Sequence, residues 1–263
     1  MNTSKSMPAT VRNKPIMVIK LGGSMLHKLS PAFMYSLKEL LKTNHLVVVH
    51  GGGPAINAML DRLQISSEFV NGQRKTTSSV LEVVEMVLAG TMNKQLVKTL
   101  QQHELPAVGL SGCDGQLLTA SYVNPETLGL VGKVECVNTH LLHALLKASY
   151  FPVIAPLGKT KEGQTVNINA DLCAAAVAEH MQAEKLLFVT DVPGIFHGDT
   201  LIQTATSSMI TSLLDQGVIY GGMVPKVTAA MSVLSTKLKE VMIVGGHHDI
   251  LNDGQMVGTR ITN

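Results

Sequence analysis

The sequence predicts an α/β fold built on an open, mainly parallel β-sheet. Short apolar runs rich in β-branched residues recur along the chain, as is typical of strands covered on both faces. Segments with helix-start signals and helical spacing of apolar residues lie between these runs. Glycine-rich stretches follow several of the runs. Strands interleaved with helices in this way favour a mainly parallel sheet.

The first two strands and the helix between them have clear local signals. The strands are predicted at Ile16–Leu21 (IMVIKL) and His45–His50 (HLVVVH). Between them, Ser30 and Pro31 predict a helix start, because serine is a capping residue and proline suits the first helical position.

A further helix is predicted in the stretch SVLEVVEMVLAG. Ser79 has Glu82 three residues later, the spacing of a capping box. Val80, Val83 and Val87 then fall on one helical face, which is the face that would be buried.

The middle of the chain has a different pattern. From Asp114 to Thr165, turn signals such as Glu162-Gly163 flank short extended pieces, which predicts hairpins with at least one helix between them. Strands follow at Leu186–Thr190 and Val241–Val244. We interpret residues 1–263 as one domain with an N-terminal lobe over about 15–170 and a C-terminal lobe over about 171–263.

Composition excludes several classes of protein. The 263 residues are 45% hydrophobic, enough for one large domain or two small lobes. A net charge of +2 and 3% aromatic residues give no basis for nucleic acid as a partner. No apolar stretch approaches a membrane span, and Met1–Lys14 lacks the apolar core of a signal peptide. Three widely spaced cysteines suit a reducing compartment, so we expect a cytoplasmic protein with Cys173 as a buried thiol.

Two glycine-rich turns are candidate ligand sites. Gly22 and Gly23 follow the first strand, and Gly51–Gly53 follow the second, with Pro54 at a helix start. Free N–H groups at a helix start, approached through glycine, form a cradle for phosphate or carboxylate. The alternative is a tight turn without a ligand. A Walker A loop is excluded by Val153, and the dinucleotide fingerprint by Ile56.

Lysines at two predicted element ends point to an anion. Lys20 lies at the end of an apolar strand, and Lys226 lies near the positive end of a helix, where a cation is disfavoured unless an anion is bound. Asp171 enters the first turn of an alanine-rich helix and could hold both ammonium groups. The alternatives are a snorkelling lysine and an ordinary helix-start aspartate.

Other polar residues are less specific taken singly. Asn167 and Asn169 share one face of an extended piece. Arg74 follows a glycine turn, and its fork suits a carboxylate, although a lone arginine is more often a solvated surface residue. Thr190-Asp191 ends a strand before a turn and could belong to a nucleotide-binding loop. The His247-His248 pair could bind a metal or be an exposed loop pair.

The motifs IKLGGS, VVHGGGP, NGQRKT, LAGTMNK, VGLSGCDG, VNINAD, TDVPGI and GGMVPKV occur in this order between Pro15 and the C-terminal GTRI (Gly258–Ile261). On these motifs the chain resembles the amino-acid kinase family, and within it the kinases of N-acetyl-L-glutamate. The resemblance implies a three-layer αβα sandwich. It also implies that the N-terminal lobe binds N-acetyl-L-glutamate, that the C-terminal lobe binds ATP, and that the ATP γ-phosphoryl group passes to the substrate's side-chain carboxylate in the second step of arginine biosynthesis.

The same resemblance implies residue roles. Lys20 and Lys226 would be catalytic, stabilising the transferring phosphoryl group, with the catalytic aspartate Asp171 between them. The substrate would be bound by Gly51, Gly52, Gly53, Arg74, Asn167 and Asn169. The phosphoryl group and nucleotide would be bound by Gly22, Gly23, Thr190, Asp191, Val192, Gly194, Ile195, Val218, Ile219, Tyr220, Gly222 and Met223. Mg²⁺ would be held mainly through the nucleotide phosphates, so no residue is named as a metal ligand.

The resemblance also carries an expectation about assembly. Arginine-inhibited members of the family have a long N-terminal helix that links dimers into a ring of six. Here the N-terminal stretch is short, mostly polar and interrupted by Pro8, so we expect a homodimer without arginine feedback, formed through the helix from Ser79 to Ala89.

Two alternatives stay open. The chain could be a kinase of the same fold that acts on aminoadipate, glutamate or another small acid. It could also be a non-catalytic regulatory homologue, although both lysines are present. A nicotinamide dehydrogenase is disfavoured by the failed dinucleotide fingerprint.

Overall fold

The computed structural model describes residues 14–26, 28–234, 238 and 240–262. The expectation about an N-terminal helix concerns residues 1–13 and lies outside the described residues. No helix in the described ranges is long and apolar enough to cross a membrane.

The described residues form strands and helices with the following bounds. The strands are β1 (Ile16–Leu21), β2 (His45–His50), β3 (Phe69–Val70), β4 (Gln73–Arg74), β5 (Ala107–Ser111), β6 (Leu118–Tyr122), β7 (Val131–Val137), β8 (Phe151–Ala155), β9 (Leu157–Lys159), β10 (Thr165–Ile168), β11 (Lys185–Thr190), β12 (Phe196–His197), β13 (Thr200–Leu201), β14 (Thr204–Thr206), β15 (Glu240–Gly245), β16 (Leu251–Asn252), β17 (Gln255–Met256) and β18 (Thr259–Thr262). The helices are α1 (Pro31–Thr43), α2 (Gly53–Arg62), α3 (Ser78–Glu85), α4 (Asn93–Gln102), α5 (Pro125–Leu128), α6 (Thr139–Lys147), α7 (Ala170–His180), α8 (Ser207–Asp215) and α9 (Met223–Val233). A π-helical segment, Met86–Met92, joins α3 to α4.

The central sheet has eight strands in the order β14-β18-β15-β11-β1-β2-β8-β5. Every neighbouring pair is parallel except β15 and β18. This arrangement confirms the predicted α/β fold class with a mainly parallel central sheet. The four predicted strands are also confirmed, as β1, β2, β11 and β15. Both β11 and β15 are slightly longer than predicted.

Helices cover both faces of the sheet. On one face, Met17, Ile19 and Leu21 of β1 pack in a core with α1, α2, α3 and α4. On the other face, Val18 packs in a second core with α6, α7, α8 and α9. Successive strand residues point to opposite faces, so a strand buried on both sides has to be apolar throughout. The result is the three-layer αβα sandwich.

The middle of the chain closes on itself. β6 and β7 pair antiparallel, and so do β9 and β10, which confirms the predicted hairpin pairing. The sequence did not predict that β10 and β7, and also β6 and β9, pair in parallel, so that the four strands form a small closed barrel. The barrel fixes the position of β10, which carries Asn167.

One of the two predicted capping residues is wrong. The prediction at Ser30 is confirmed, because its side chain accepts a hydrogen bond from Phe33 N at 3.0 Å. The capping box at Ser79 is wrong, because the helix begins at Ser78 and the capping residue is Thr77. Thr77 has an extended backbone (φ −75°, ψ 173°), and its hydroxyl accepts from Val80 N at 3.3 Å. Ser79 is the second residue of the helix, so it cannot be the N-cap.

The division into two lobes stays a prediction. β1, β2, β5 and β8 precede residue 171, whereas β11, β14, β15 and β18 follow it. The two sets form one sheet, since β1 pairs directly with β11. Residues at the carboxyl ends of these two strands therefore lie side by side.

The cap of α3 gives a matched test of the corrected helix start. Thr77→Ala is expected to lower the free energy of unfolding by about 1 kcal/mol, because the Val80 N–H loses its acceptor. Ser79→Ala, two residues away on the exposed side, is expected to change it by less than about 0.5 kcal/mol. Urea denaturation of both variants checks this, and the reverse order of effects would restore Ser79 as the cap.

Candidate active site

The candidate site lies beyond the carboxyl ends of the central strands, where ligands bind in open α/β sheets. The turn after β1 and the turn after β2 touch there. A Cβ atom added to Gly23 would lie 2.7 Å from the backbone nitrogen of Gly52. Only glycine allows this approach, so the two turns form one continuous surface of backbone. Since α2 begins at Gly53, its first N–H groups have no partner within the helix.

Lys20 and Asp171 form an ion pair in this crevice. Lys20 lies on the same face of β1 as Val18, two residues earlier, and α7 covers that face. The first turn of α7 carries Asp171. Lys20 Nζ lies 2.8 Å from Asp171 Oδ1, and the two side chains are only 9% and 16% exposed. The geometry is that of an electrostatic contact, because Oδ1 accepts no regularly aligned hydrogen bond from the described residues.

Lys226 brings a second cation to the same place. It lies in the first turn of α9, and its Nζ donates to the carbonyl oxygen of Gly222 at 2.8 Å. Burial lowers the pKa of Lys226, and the positive charge of Lys20 lowers it further, whereas Asp171 and Asp191 raise it. Two lysines held against their mutual repulsion, with one carboxylate beside them, favour an anionic ligand.

A cavity of about 150 Å³ opens beside the glycine turns. The structure brings together there all six residues predicted to bind substrate, lining it with Gly51, Gly52, Gly53, Arg74, Asn167 and Asn169. Leu88 of the π-helical segment also lines it and would meet a side chain at Gly52.

Arg74 is a buried cation without an anion among the described residues. It is 6% exposed, and its guanidinium donates to Ser67 Oγ at 2.8 Å and to Asn57 Oδ1 at 2.6 Å. Phe69 covers the guanidinium at 4.6 Å from the ring centroid. Burial lowers the pKa of Arg74. A buried guanidinium with N–H groups to spare suits a carboxylate from a ligand.

The two asparagines are held in different ways. Asn169 caps α7, and its Oδ1 accepts from the backbone N–H groups of Asp171 and Leu172 at 2.9 and 3.2 Å. That cap places Asp171 in the first turn of the helix. Asn167 of β10 is held by its Nδ2, which donates to Thr76 Oγ1 at 3.1 Å.

A second cavity, of about 430 Å³, adjoins the start of α9. Among the residues predicted to bind nucleotide, it is lined by Gly194, Ile195, Val218, Ile219, Tyr220 and Met223. The other six residues of that set are not among its lining residues: Gly22, Gly23, Thr190, Asp191, Val192 and Gly222. Thr190 Oγ1 donates to Asp191 Oδ1 at 2.9 Å, which holds the pKa of that carboxyl low, and the charges of Lys226 and Lys28 lower it further.

Several residues of the region were missed by sequence reasoning. Phe196, His197, Gly198 and Gly217 also line the second cavity. Thr76 contacts Asn167, which lies 91 positions away. Because such contacts depend on the packing of distant segments, no local pattern indicated them.

A buried polar network beneath the second glycine turn was also missed. His50 is fully buried, its Nδ1 lies 3.0 Å from Gly51 O, and its Nε2 lies 3.2 Å from Asn93 Nδ2. Since a carbonyl oxygen only accepts, Nδ1 carries the proton and Nε2 accepts from Asn93. The Asn93 amide also donates to Val153 O at 3.0 Å, and its Oδ1 accepts from Lys94 Nζ at 3.0 Å.

Burial lowers the pKa of His50 to about 4. The imidazole is therefore neutral at neutral pH, where it orients the Gly51 carbonyl and carries no charge.

Cavity size by itself does not locate the chemistry. A cavity of about 630 Å³ lies at the amino ends of β11 and β15, on the opposite edge of the sheet. Its half-buried Glu240 already pairs with Lys185 at 3.1 Å and Arg260 at 3.0 Å.

The described residues contain no group of three or more His, Cys, Asp or Glu side chains that could hold a metal ion. His247 and His248 therefore belong to no such group. Cys173 is fully buried, as predicted, and burial raises the pKa of its thiol to about 12.

Comparisons with known proteins agree with the geometry. The model of the amino acid kinase family matches residues 15–245. The chain is 53% identical over 247 residues to the acetylglutamate kinase of Geobacillus sp. (strain WCH70), covering 94% of this chain and 96% of that protein. It is similar to the crystal structure of smu.665 from Streptococcus mutans UA159, with 32% identity, a TM-score of 0.84 and coverage of 94% and 98% of the two chains. Carbamate kinase from Giardia lamblia bound to AMP-PNP, at 17% identity and a TM-score of 0.65, covers 95% of this chain and 99% of that one and shares the fold.

The buried His50 predicts a pH dependence of stability. The unfolded state takes up a proton near the ordinary pKa of 6.5, whereas the folded state does so only near 4. The unfolded state therefore binds more protons between these values, and the free energy of unfolding falls as pH decreases. From pH 7 to pH 5, His50 is expected to contribute a loss of about 2 kcal/mol.

Urea denaturation at the two pH values measures this contribution as a difference between variants. His50→Gln is expected to show a weaker pH dependence than the wild type, because the buried imidazole is gone. His140→Gln, at an exposed helix position, serves as the control and is expected to keep the wild-type dependence. Equal pH dependence in wild type and His50→Gln would show that His50 does not carry the effect.

Proposed function

Because the chain belongs to the amino acid kinase family, we propose that it transfers the γ-phosphoryl group of ATP to the side-chain carboxylate of N-acetyl-L-glutamate. The product is N-acetyl-L-glutamyl 5-phosphate, an intermediate of arginine biosynthesis. The proposal is supported by relatives named acetylglutamate kinase, at about half identity over nearly the whole chain.

The observation that carries the proposal is the cluster of Lys20, Asp171 and Lys226 beside the glycine turns. The turn Gly51–Gly53 lines the cavity that contains Arg74, and Lys226 lies in α9, whose first residue, Met223, lines the second cavity. Lys20 lies in β1, directly before the glycine turn that touches Gly52. A phosphoryl donor in one cavity and a carboxylate acceptor in the other would meet at the lysines. This is the arrangement that transfer between two anions requires.

The acceptor explains why the described cluster contains cations and no histidine base. A carboxylate is already ionised at neutral pH, so no group has to remove a proton from it. The obstacle is electrostatic, because two anions must be brought into line and the charge of a loose transition state must be spread. Lys20, Lys226 and the N–H groups of the glycine turns would do this by position and charge. Asp171 would hold Lys20 in place.

Recognition of the acceptor would fall to the small cavity. Arg74 would bind the α-carboxylate, because its buried guanidinium has no anion among the described residues. Asn167 would contact the acylated amine. The N–H groups of Gly51–Gly53 would face the side-chain carboxylate. The alternative acceptors differ from N-acetyl-L-glutamate at the atoms that these groups would contact. Both glutamate and aminoadipate have a free amine, and aminoadipate also has a longer side chain.

The residues of the second cavity fit a nucleotide. Ile195, Val218 and Ile219 offer apolar surface for a base, and Tyr220 and Phe196 offer aromatic surface. The contacting glycine turns suit phosphate, since a side chain there would block the N–H groups. Mg²⁺, held mainly through the phosphates, would neutralise charge on them; we name no residue as its ligand.

Assembly and location complete the proposal. We infer a homodimer formed through the continuous helix of α3, the π-helical segment and α4, where Met86 exposes 56% of its surface. Sedimentation of the purified chain measures its mass. Three free cysteines support a cytoplasmic enzyme.

The direct test is ATP consumption with Mg²⁺ and hydroxylamine, which traps an acyl phosphate as a hydroxamate. N-acetyl-L-glutamate is expected to give a hydroxamate, and L-glutamate and L-aminoadipate much less. Hydroxamate from L-aminoadipate or L-glutamate alone would assign a different acceptor. No hydroxamate from any of the three would overturn the kinase activity proposed for this chain.

The role of Lys226 predicts a specific kinetic defect. Lys226→Ala is expected to lower kcat by a factor of about 100 or more, because a cation at the transferring phosphoryl group acts mainly in the transition state. The KM for N-acetyl-L-glutamate is expected to change little. Lys98→Ala, an exposed lysine on α4, is the control and should keep wild-type kcat. Unchanged kcat in Lys226→Ala would remove this lysine from the mechanism.

A further inference from the structure

A short hydrogen-bonded chain connects the side chain of Asn167 to the backbone of Arg74 through Thr76. The hydroxyl of Thr76 donates to the carbonyl oxygen of Arg74 at 2.8 Å. The same hydroxyl oxygen accepts from Asn167 Nδ2 at 3.1 Å. Thr76 is completely buried and does not line the cavity, so it would not touch the substrate.

The direction of this chain follows from hydrogen-bond chemistry. The Arg74 carbonyl oxygen has no proton and only accepts, so it takes the single hydroxyl proton of Thr76. Thr76 then has only lone pairs to offer Asn167, which must turn its N–H₂ group toward them. The amide orientation, which coordinates alone do not distinguish, is thereby determined.

The rest of the Asn167 amide is left for a ligand. Its Oδ1 accepts no hydrogen bond from the described residues, and Asn167 lines the cavity beside Arg74. An acceptor atom and a guanidinium that donates therefore belong to residues that line the same cavity. A ligand that uses both carries a carboxylate and an N–H group close together, as an N-acylated α-amino acid does.

Backbone hydrogen bonds on both sides of Thr76 fix the position of this hydrogen-bonded chain. Thr76 N donates to Leu128 O at 2.9 Å, and Leu130 N donates to Thr76 O at 2.7 Å. Between these partners, Gly129 has φ +67°, and a side chain there would clash with Thr76 O. The segment before β7 thus holds the backbone of Thr76, while the hydroxyl of Thr76 contacts Arg74 and Asn167.

We propose that Thr76 is a positioning residue that holds the Asn167 amide with its oxygen toward the cavity, so that the site selects acceptors with an N–H group beside the α-carboxylate. This inference rests on the proposed function, since it concerns the same acceptor cavity. Without the Thr76 hydroxyl, the amide is free to turn and to present its N–H₂ group, which would face the substrate N–H unfavourably.

Calorimetric binding without nucleotide tests the inference separately from turnover. The two ligands are N-acetyl-L-glutamate and 2-acetoxyglutarate, in which an ester oxygen replaces the N–H group. Wild type is expected to bind the amide about tenfold or more tightly than the ester, because a buried acceptor then loses its donor. Thr76→Val is expected to weaken binding of the amide about tenfold and binding of the ester less than about twofold.

Thr76→Ser keeps the hydroxyl and is the matched control, expected to bind both ligands within about threefold of wild type. Thermal unfolding verifies that each variant is folded. Equal weakening of both ligands in Thr76→Val, or loss of amide preference in Thr76→Ser, would mean that Thr76 has only a structural role and would overturn the inference. Failure of wild type to prefer the amide would overturn the acceptor role of Asn167.

Turnover of the same proteins separates the two proposals. If wild type binds N-acetyl-L-glutamate with the expected preference but forms no hydroxamate, the kinase activity fails and the inference stands. If wild type binds neither ligand, the inference is overturned, and if it also forms no hydroxamate, the kinase activity is overturned as well.

Discussion

The rest of the site depends on a buried cation at the end of the central strand. Lys20 is almost fully enclosed, and removing one partner of such a pair typically costs about 3–5 kcal/mol because a charge is left unpaired. Asp171 meets it at 2.8 Å, which ties the end of β1 to the first turn of α7. This contact fixes the start of α7 at the carboxyl end of β1. The glycine turns follow β1 and β2 at this place, and Lys226 lies near enough for the charge of Lys20 to lower its pKa.

The surroundings of that ion pair keep backbone and charge available for a ligand. The two glycine turns touch, so their N–H groups form one surface, and the start of α2 adds N–H groups without partners in the helix. Lys226 adds a cation whose pKa is lowered by burial and by Lys20. A folded chain tolerates such a concentration of positive charge most easily when an anion binds there, and phosphoryl transfer provides two.

Neutral polar groups support the charged ones from behind. His50 and Asn93 hold the carbonyl of Gly51, and Thr76 connects Arg74 to Asn167. All these supporting side chains are fully buried, where hydrogen bonds are short of competing water and fix orientation. The geometry of the ligand-facing atoms is thus set by residues that a ligand would not touch.

The sequence by itself determined the fold class, the central strands and the position of the candidate residues at strand and helix ends. Lys20 and Lys226 stand out because each breaks a local pattern, such as a charge in an apolar strand. Gly51–Gly53 stand out as three glycines between a strand and a helix, whereas Asp171 is by itself an ordinary residue of a first helical turn. The tertiary structure alone decided how the barrel strands close, that Thr77 rather than Ser79 caps α3, and which side chains share a cavity. It also joined His50 to Asn93 and Thr76 to Asn167, pairs that lie 43 and 91 positions apart. Local patterns record which way a residue faces within its own strand or helix, whereas partners so far apart meet only through the packing of all the elements between them.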